Sequence, residues 1–551
     1  MNAPYRQKEA FKNYKHIMKQ IIISLLLLTP LILACSQIKN LSETSGKEKT
    51  QILTLEDIAK YKAAGVVRYS NFGAKGDGKT DDMDAIVATH AFANEHGLSV
   101  KADDGFTYYI GGKALSAVIR TNTDFGTASF IIDDTDVENR STQVFIVSSN
   151  HQPFQLEGVS SLKRNQEKID VTLPGSCIIT VTDSNVKRYI RFGPNQNAGS
   201  SQTDIFILDK NGKVDMNAPI IWNFDQITNM SALPIDESTL TISGGRFTTI
   251  ANKAESKYNY YNRGIAIRRS NVVVDDLEHR VTGEGDHGAP YGGFIDVKDC
   301  SYVIVRNTVL TGRKMYRTIG SAGVPVSMGS YDITVNRALN VSFINCRQTN
   351  DINDNKYWGI IGSNYSKNLV YDNCTFSRFD AHMGVANATI RNSTLGHQGI
   401  NAIGSGTFTV ENTTVRSWSF INLRPDYGST WQGNLIIRNC IFVPGGGRPV
   451  SASLISGSYS GQHDFGYICY MPENITIENL FIDDSNHPEN YLGPAIFANF
   501  NPQMTDDSYV EKYPYVITKE VFLKNVTTAS KKELRVSDNP FMFKDVKINI
   551  N

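Results

Sequence analysis

Side chains able to do acid–base chemistry recur at one position of a repeated phrase in the second half of this 551-residue chain. Each phrase consists of a short apolar run, an asparagine, a few more β-forming residues and then a polar corner. The corners carry two of the ten histidines and three of the four tryptophans. Their chemistry-bearing residues are Arg313, Lys314, Tyr316, Asp351, Asp354, Lys356, Tyr357, Trp358, Arg378, Asp380, His382, His397, Arg416, Trp418, Arg424, Asp426, Tyr427 and Trp431.

One chemistry that these residues could perform is β-elimination beside a uronate carboxylate. A base removes the proton next to the carboxylate, a cation or donor neutralises the carboxylate, and an acid assists the leaving oxygen. His382 or His397 is the predicted base, because an imidazole titrates near neutral pH. The remaining roles fall to Arg378 or Arg424 for the carboxylate and to Tyr427 or Tyr357 for the leaving oxygen.

Hydrolysis is the alternative chemistry, and an inverting hydrolase needs two carboxylates about 6.5–9.5 Å apart. The available acids are Asp351, Asp354, Asp380 and Asp426. We favour the lyase and predict His382, His397, Arg424 and Tyr427 as its catalytic residues. The predicted substrate contacts are Arg313, Lys314, Lys356, Tyr357, Trp358, Arg378, Asp380, Arg416 and Trp418.

The alternative interpretation is that these residues are ordinary polar turn residues with no function in binding or catalysis. The mixture argues for binding, because aromatic faces stack on sugar rings and arginine pairs bidentately with carboxylates. A third hypothesis is a glycan-binding protein or adhesin without catalysis, which would need the aromatic and basic groove but not His382 or His397.

The repeated phrase predicts the elements that must position these residues. Its asparagines are Asn307, Asn345, Asn373, Asn392, Asn412, Asn439, Asn479 and Asn525. Successive spacings are 38, 28, 19, 20, 27, 40 and 46 residues, so a unit of about 20 carries loops at particular corners. Short alternating strands joined by tight corners are typical of a parallel β-solenoid. A β-sandwich is the alternative, but NG-type hairpin turns are lacking in the repeat region 238–551.

Two side-chain types in the phrase have expected structural roles. Asparagine tolerates left-handed backbone, and we expect stacked asparagine amides to bond from coil to coil. Cys346, Cys374 and Cys440 each follow an asparagine, which predicts buried thiols at a repeated position rather than a disulfide framework. No CxxC or His/Cys metal spacing occurs.

The segments YSNFGAKGDGKTDDMDAI at 69–86 and HGLSVKADDGFTYYIGG at 96–112 resemble the start of the pectate-lyase/polygalacturonase-like right-handed β-helix superfamily. The resemblance implies a first coil with a capping helix. The local pattern also predicts that helix, with Asp81 or Asp82 at its N-cap and Gly97 at its end. Asp77, Asp81 and Asp82 are therefore predicted to be structural.

The predicted fold is all-β: a right-handed parallel β-helix with an N-terminal capping helix and a β-rich insertion. The predicted boundaries are 1–34 signal peptide, 35–65 linker, 66–112 first coil and cap, 113–237 insertion, and 238–551 main β-helix and closure.

The family resemblance bears on function as well. GHQG at 396–399 faintly resembles the Gly-His-Gly of polygalacturonases, but their paired-Asp and Arg-Ile-Lys motifs are not found in order. The calcium cluster of pectate lyases is not evident either, so calcium is left open as a cofactor. A lipoprotein β-helix of this kind resembles polysaccharide lyases of Bacteroidetes that act on glycosaminoglycans such as chondroitin or hyaluronan, or on pectin-like glycans.

The N-terminus predicts export. Lysines precede the apolar run 21–34, which is short for a bilayer span, and LILAC resembles a lipobox with Cys35 as the lipidated residue. We expect a lipid anchor in the bacterial outer membrane and a monomer. The chain has 55 basic and 55 acidic residues, which excludes nucleic-acid binding by bulk positive charge. Cleavage after Ala34 would leave 50 basic and 54 acidic residues, a net charge of −4.

Overall fold

The computed structural model describes residues 54–359 and 361–550. This part contains two α-helices, α1 (Leu55–Ala64) and α2 (Met83–His96), and three short 3-10 helices at Tyr69–Phe72, Pro425–Tyr427 and Pro444–Gly446. Helix α1 falls within the predicted linker 35–65. Among the described residues, no helix has the length and apolar character that a membrane span requires.

The remaining elements are strands. In chain order they are β1 Val66–Arg68, β2 Asp77–Asp81, β3 Ser99–Lys101, β4 Thr107–Ile110, β5 Ala117–Ile119, β6 Thr123–Asp133, β7 Phe145–Ser148, β8 Phe154–Gln155, β9 Cys177–Arg188, β10 Ser200–Leu208, β11 Asn229–Pro234, β12 Leu240–Ile250, β13 Ile265–Arg268, β14 Val272–Asp275, β15 Glu278–Thr282, β16 Gly292–Arg306, β17 Val309–Leu310, β18 Arg313–Lys314, β19 Arg317–Ile319, β20 Pro325–Ser327, β21 Tyr331–Ile344, β22 Arg347–Gln348, β23 Tyr357–Gly359, β24 Ile361–Asp372, β25 Thr375–Arg391, β26 Thr394–Ala402, β27 Gly404–Glu411, β28 Thr414–Val415, β29 Ser419–Leu423, β30 Trp431–Phe442, β31 Ser453–Ser456, β32 Asn474–Ile482, β33 Ala495–Phe497, β34 Glu520–Thr528, β35 Arg535–Ser537 and β36 Lys547–Ile550.

Most of these strands stack in parallel, one coil on the next, and form three sheets. Sheet 1 holds the residues before each asparagine, with Val303 paired to Val341 and Val341 to Leu369. Sheet 2 holds the residues after it, as in the pairing of β17 with β22. Sheet 3 completes each coil, as in the pairing of β26 with β29 and of β29 with β31. The predicted right-handed parallel β-helix is confirmed.

The turn between sheets 1 and 2 explains why asparagine recurs there. Asn345, Asn373 and Asn392 have φ of 54°, 53° and 53°, the left-handed region that asparagine tolerates. The Nδ2 of Asn373 donates to Oδ1 of Asn345 at 2.7 Å, and Asn345 donates to Asn307 at 3.2 Å. The same bonds continue from Asn412 to Asn525. The predicted asparagine ladder is therefore present, with one interruption where Asn392 donates to Asp372.

The interior of the coils is filled by alternate residues of each strand. Phe343, Tyr371, Phe376 and Phe408 belong to one continuous hydrophobic core. All six cysteines of the described residues are free and buried, and Cys346, Cys374 and Cys440 donate to backbone carbonyls. The predicted buried thiols are thus present, whereas Cys35 lies outside the described residues.

Helix α2 covers the open end of the first coil, as predicted. It begins after Asp82 and ends at Gly97, whose φ is +66°. Asp82 accepts from the backbone N–H groups of Lys75 and Gly76 at 2.6 and 3.1 Å. Asp77 accepts from the N–H groups of its own turn. These acids have structural partners.

Residues 113–237 fall in two structural contexts. Strands β6 and β7 pair in parallel with the solenoid strands β12 and β13, and β5 pairs in parallel with β7. Residues 149–239, here called the insertion, contain an antiparallel sheet in the order β10-β9-β11-β8 with a separate hydrophobic cluster. Lys367 of the solenoid forms a buried ion pair at 2.7 Å with Asp204 of the insertion. The insertion is thereby fastened to the side of the coils.

Candidate functional site

Strand β25 supplies the core of the candidate site. It runs without a break through sheet 2, sheet 3 and sheet 1, so it makes one of the shortest coils. Phe379 and Ala381 point into the hydrophobic core. Because side chains alternate along a strand, Arg378, Asp380 and His382 project together from the outer face of sheet 3.

Asp380 lies between two guanidinium groups. Its Oδ1 is 3.0 Å from Arg424 Nη1, and its Oδ2 is 3.0 Å from Arg378 Nη2. The carboxylate is fully buried. Burial alone would raise the pKa of Asp380, but the two arginines outweigh burial and hold this pKa below its ordinary value. Asp380 is therefore an anion that orients both arginines.

Asp426 extends this charge network towards the insertion. Its Oδ2 lies 2.7 Å from Arg424 Nη2 and 2.8 Å from Arg191 Nε. Burial acts to raise the pKa of Asp426, and Arg424 and Arg191 lower it overall. The side chains alternate in charge along the line Arg378, Asp380, Arg424, Asp426, Arg191. Three cations thus face two carboxylates, which leaves one net positive charge.

His382 is held at both ring nitrogens. Its Nδ1 is 3.1 Å from Asn364 Oδ1, which can only accept, so Nδ1 carries the proton. Its Nε2 is 3.2 Å from the Tyr427 hydroxyl and accepts from it. Burial, assisted by the Arg424 charge, lowers the pKa of His382 to about 3. The imidazole is neutral at physiological pH.

Tyr427 lies beneath the surface of the site. Only 1% of the residue is exposed, and burial raises its pKa to about 12. Its ring contacts the His382 ring edge-on at 5.4 Å. The sequence predicted Tyr427 as the proton donor to the leaving oxygen, but burial places it where it supports His382 instead of contacting a substrate.

A groove runs along the outer face of sheet 3, with a central cavity of ≈ 290 Å³ lined by Arg191, Arg378, His382, Arg424 and Asp426. Trp358 lies under Arg378, with the guanidinium 4.4 Å from the ring centre. Tyr331 also lines the groove. Asn401 and Asn422 stack on adjacent strands beside Asp380, with Asn422 donating to Asn401 at 2.8 Å.

Two segments outside the repeat form the groove walls. Residues 189–199 of the insertion contribute Arg191 and Asn195, and residues 251–264 contribute Tyr258 and Tyr260. The two tyrosine rings are stacked at 6.3 Å, and Tyr258 is 45% exposed. Sequence reasoning missed these four residues, together with Tyr331 and Asn364. The closely spaced aromatic run YNYY at 258–261 is the signal that could have indicated a sugar platform.

Several predicted site residues lie away from the groove. Arg313 is fully buried against Asp332 at 3.1 Å, so it cannot contact a substrate. His397 lies at a neighbouring corner with Nδ1 2.9 Å from the Ile352 carbonyl, and burial lowers its pKa. The others are placed as follows: Lys314 beside Asp286, Lys356 in the turn before β23, Tyr357 at the start of β23, Arg416 near the Gly446 carbonyl, and Trp418 on the exposed surface.

Of the acids predicted for hydrolysis, some line the groove and others lie away from it. Asp351 and Asp354 accept backbone N–H bonds of their own turn. Asp426 is the carboxylate that lines the groove among the described residues. Within the described residues no cluster of three or more His, Cys, Asp or Glu side chains could hold a metal ion.

The fold and groove together define a right-handed parallel β-helix with a polar, aromatic cleft on one sheet. The chain matches no family model. It is similar to the tailspike gp61 of Pseudomonas phage phi297, with a TM-score of 0.51, 12% identity and coverage of 84% of this chain and 80% of that chain. The tailspike gp49 of Pseudomonas phage LKA1 matches with a TM-score of 0.47, 13% identity and coverage of 88% and 84%. At this identity the phi297 likeness shows the fold alone.

One curated protein is similar over a short stretch. The chain is 32% identical over 100 residues to a capsule KL64-specific depolymerase of Klebsiella phage P510. This match covers 16% of the present chain and 10% of the depolymerase, so the chain spans about a tenth of that protein's length.

Proposed function

We propose that this protein binds an acidic polysaccharide in the sheet 3 groove and cleaves it by β-elimination. The observation that carries the proposal is the neutral imidazole of His382 set beside the guanidinium of Arg424, in a groove walled by tyrosines. A neutral imidazole can accept a proton, and an arginine can bind a carboxylate. The stacked pair Tyr258 and Tyr260 offers flat faces for sugar rings.

Each groove residue has a separate role in the proposed reaction. The single net positive charge of the arginine line attracts the uronate carboxylate. His382 Nε2 takes the proton from the carbon beside that carboxylate, and the freed electron pair forms a carbon–carbon double bond as the glycosidic carbon–oxygen bond breaks. The Tyr331 hydroxyl gives its proton to the leaving oxygen; burial raises the pKa of Tyr331 and keeps it protonated.

Tyr427 has a supporting part in this scheme. Its hydroxyl must release Nε2 before the imidazole can accept the substrate proton. The contact of 3.2 Å is at the long end of hydrogen-bond distances and is weak. Asn364 keeps the proton on Nδ1 and so leaves the Nε2 lone pair for the reaction.

Hydrolysis is the second candidate, because Asp380 and Asp426 both bond to one guanidinium, that of Arg424. Two carboxylates near one bond are what a glycoside hydrolase needs. The complete burial of Asp380 beneath the groove weighs against this scheme. The similarity to the capsule depolymerase of the Klebsiella phage supports cleavage of a polysaccharide without distinguishing the two chemistries.

The proposal is tested by incubating the protein with a panel of uronate polysaccharides, with a neutral glucan as control. β-Elimination predicts ultraviolet absorbance from the unsaturated product together with new reducing ends. Reducing ends without absorbance would replace the lyase by the hydrolase. Binding of a polysaccharide without absorbance or new reducing ends would refute cleavage and would favour a glycan-binding protein or adhesin.

A further inference from the structure

A second cavity lies between the insertion and the solenoid. It has a volume of ≈ 250 Å³ and is here called the insertion pocket. Its floor is formed by solenoid residues and its outer wall by the insertion. Its lining includes Arg164, Arg188, Trp222, Tyr365, Lys367 and Tyr467.

The walls of the insertion pocket are largely aromatic. The rings of Trp222 and Tyr467 are 6.2 Å apart, and that of Tyr189 is 5.4 Å from Tyr467 and 5.8 Å from Tyr365. Trp222, Tyr365 and Tyr467 are partly exposed. Flat side chains with an apolar face and a polar edge suit a sugar ring, which is itself apolar on its face and polar at its rim.

The charges of the insertion pocket favour an anion. Arg188 lies 4.5 Å from the centre of the Trp222 ring and donates to Gln202 Oε1 at 2.6 Å. Arg164 donates to Gln432 Oε1. Arg188 also donates from Nη1 to the Gly466 carbonyl. All of these acceptors are neutral, and among the described residues neither guanidinium forms an ion pair with a carboxylate. The Asp204 carboxylate is already paired with Lys367 at 2.7 Å.

One layer of side chains separates the insertion pocket from the groove. Tyr189 packs edge-on against Tyr427 at 6.3 Å, and Tyr427 contacts His382. The Tyr365 hydroxyl donates to the sulfur of Met383, which lines the groove. The insertion pocket and the groove therefore share a wall formed by the rings of Tyr189 and Tyr427.

We propose that the insertion pocket binds one acidic sugar residue, a second glycan site distinct from the groove. The aromatic walls would take the ring face and the guanidinium groups of Arg164 and Arg188 would take the carboxylate. That this sugar belongs to the polysaccharide bound in the groove rests on the proposed function.

Isothermal titration calorimetry of the full chain with D-glucuronate tests this site. A single sugar predicts a dissociation constant on the order of 1 mM, because ligands of this size gain little free energy per atom. Trp222→Leu should weaken binding at this site at least tenfold. Leu492→Ala, which shortens an exposed apolar side chain outside the insertion pocket and the groove, should leave it unchanged. Thermal unfolding of each variant establishes that it is folded.

Arg164→Gln gives a second, milder perturbation at the rim of the insertion pocket. It should reduce the preference for D-glucuronate over D-glucose at least fivefold, which a merely structural role would not do. Glucuronate binding that is equal in wild type, Trp222→Leu and Arg164→Gln would overturn the proposal, as would the absence of binding to the wild type. Suppose that the wild type binds glucuronate, that Trp222→Leu does not, and that the protein cleaves no polysaccharide. This result would support the insertion pocket as a sugar site and would refute only the proposed function.

Discussion

The groove contains an imidazole that is unusual for a histidine, because it is half-buried, neutral and contacted at both nitrogens. The Arg424 and Arg191 charges oppose its protonation, whereas Asp380 and Asp426 favour it. Asp380 and Asp426 are themselves bound to arginines, so their effect is smaller than that of burial. An incoming substrate carboxylate adds negative charge beside this histidine. We infer that substrate binding raises its basicity at the moment when a base is needed.

His382→Ala should lower kcat by about 10²–10⁴-fold, the usual contribution of a positioned acid–base group. His151→Ala is the matched control, because His151 is exposed and belongs to the insertion. Initial rates on the best substrate of the uronate panel give the comparison. A His382→Ala protein with wild-type kcat would remove this histidine from the mechanism.

The lowered pKa of His382 also predicts a dependence of stability on pH. The folded protein binds this proton only near pH 3, whereas the unfolded chain binds it below about pH 6.5. The contribution is therefore intact above pH 6.5 and is lost progressively as the pH falls towards 3. The stability advantage of wild type over His382→Gln should shrink between pH 7 and pH 4.5, as measured by urea unfolding. A constant difference would contradict the assigned protonation state.

At the scale of elements, the asparagine phrase was sufficient to predict the coils, because each phrase encodes a local strand, a left-handed turn and a bond to the next copy. It was also sufficient to place Arg378, His382 and Arg424 near one another, since adjacent corners stack. The groove walls could not be predicted in this way. Arg191 meets Asp426 across 235 residues of sequence, and neither Tyr258 nor Tyr260 belongs to the repeat. Burial of Arg313 and Tyr427 likewise depends on long-range packing.

The asparagine ladder should contribute measurably to coil stability. Asn373→Ala removes the bond to Asn345 and forces a Cβ-bearing residue without a local amide into φ of 53°. We expect a loss of about 2–3 kcal/mol, from about 1–2 for the left-handed turn and about 1 for the hydrogen bond. Asn373→Gly keeps the turn and loses only the bond, so its loss should be smaller. Urea unfolding followed by circular dichroism compares the two variants, and equal losses would refute this division.

The whole molecule joins a rigid solenoid to an insertion that contributes one wall of the groove and one wall of the insertion pocket. If the proposed function holds, this arrangement would let a chain with equal numbers of acidic and basic residues bind a polyanion, because guanidinium groups without a carboxylate partner lie where the insertion meets the coils. Export and lipid anchoring remain proposals at this scale, because residues 1–53 lie outside the described part of the chain.

The anchoring proposal predicts that Cys35→Ser, expressed in a bacterium with lipoprotein processing, shifts the protein from the membrane to the soluble fraction. Mass spectrometry of the wild-type N-terminus should find a lipidated Cys35. Ser36→Ala is the control, because it leaves the lipidated position intact. An unmodified cysteine in the mature wild-type protein would refute lipidation.

The mass of the products formed in heavy-oxygen water tests the central claim most directly. β-Elimination breaks the glycosidic bond without adding water, so both new ends should lack the heavy isotope. One fragment should also be lighter, by one water molecule, than the corresponding hydrolysis product. Mass spectrometry of oligosaccharides released from a uronate polysaccharide reads both features at once. Incorporation of heavy oxygen at the newly formed reducing end, with no unsaturated fragment, would contradict the lyase mechanism.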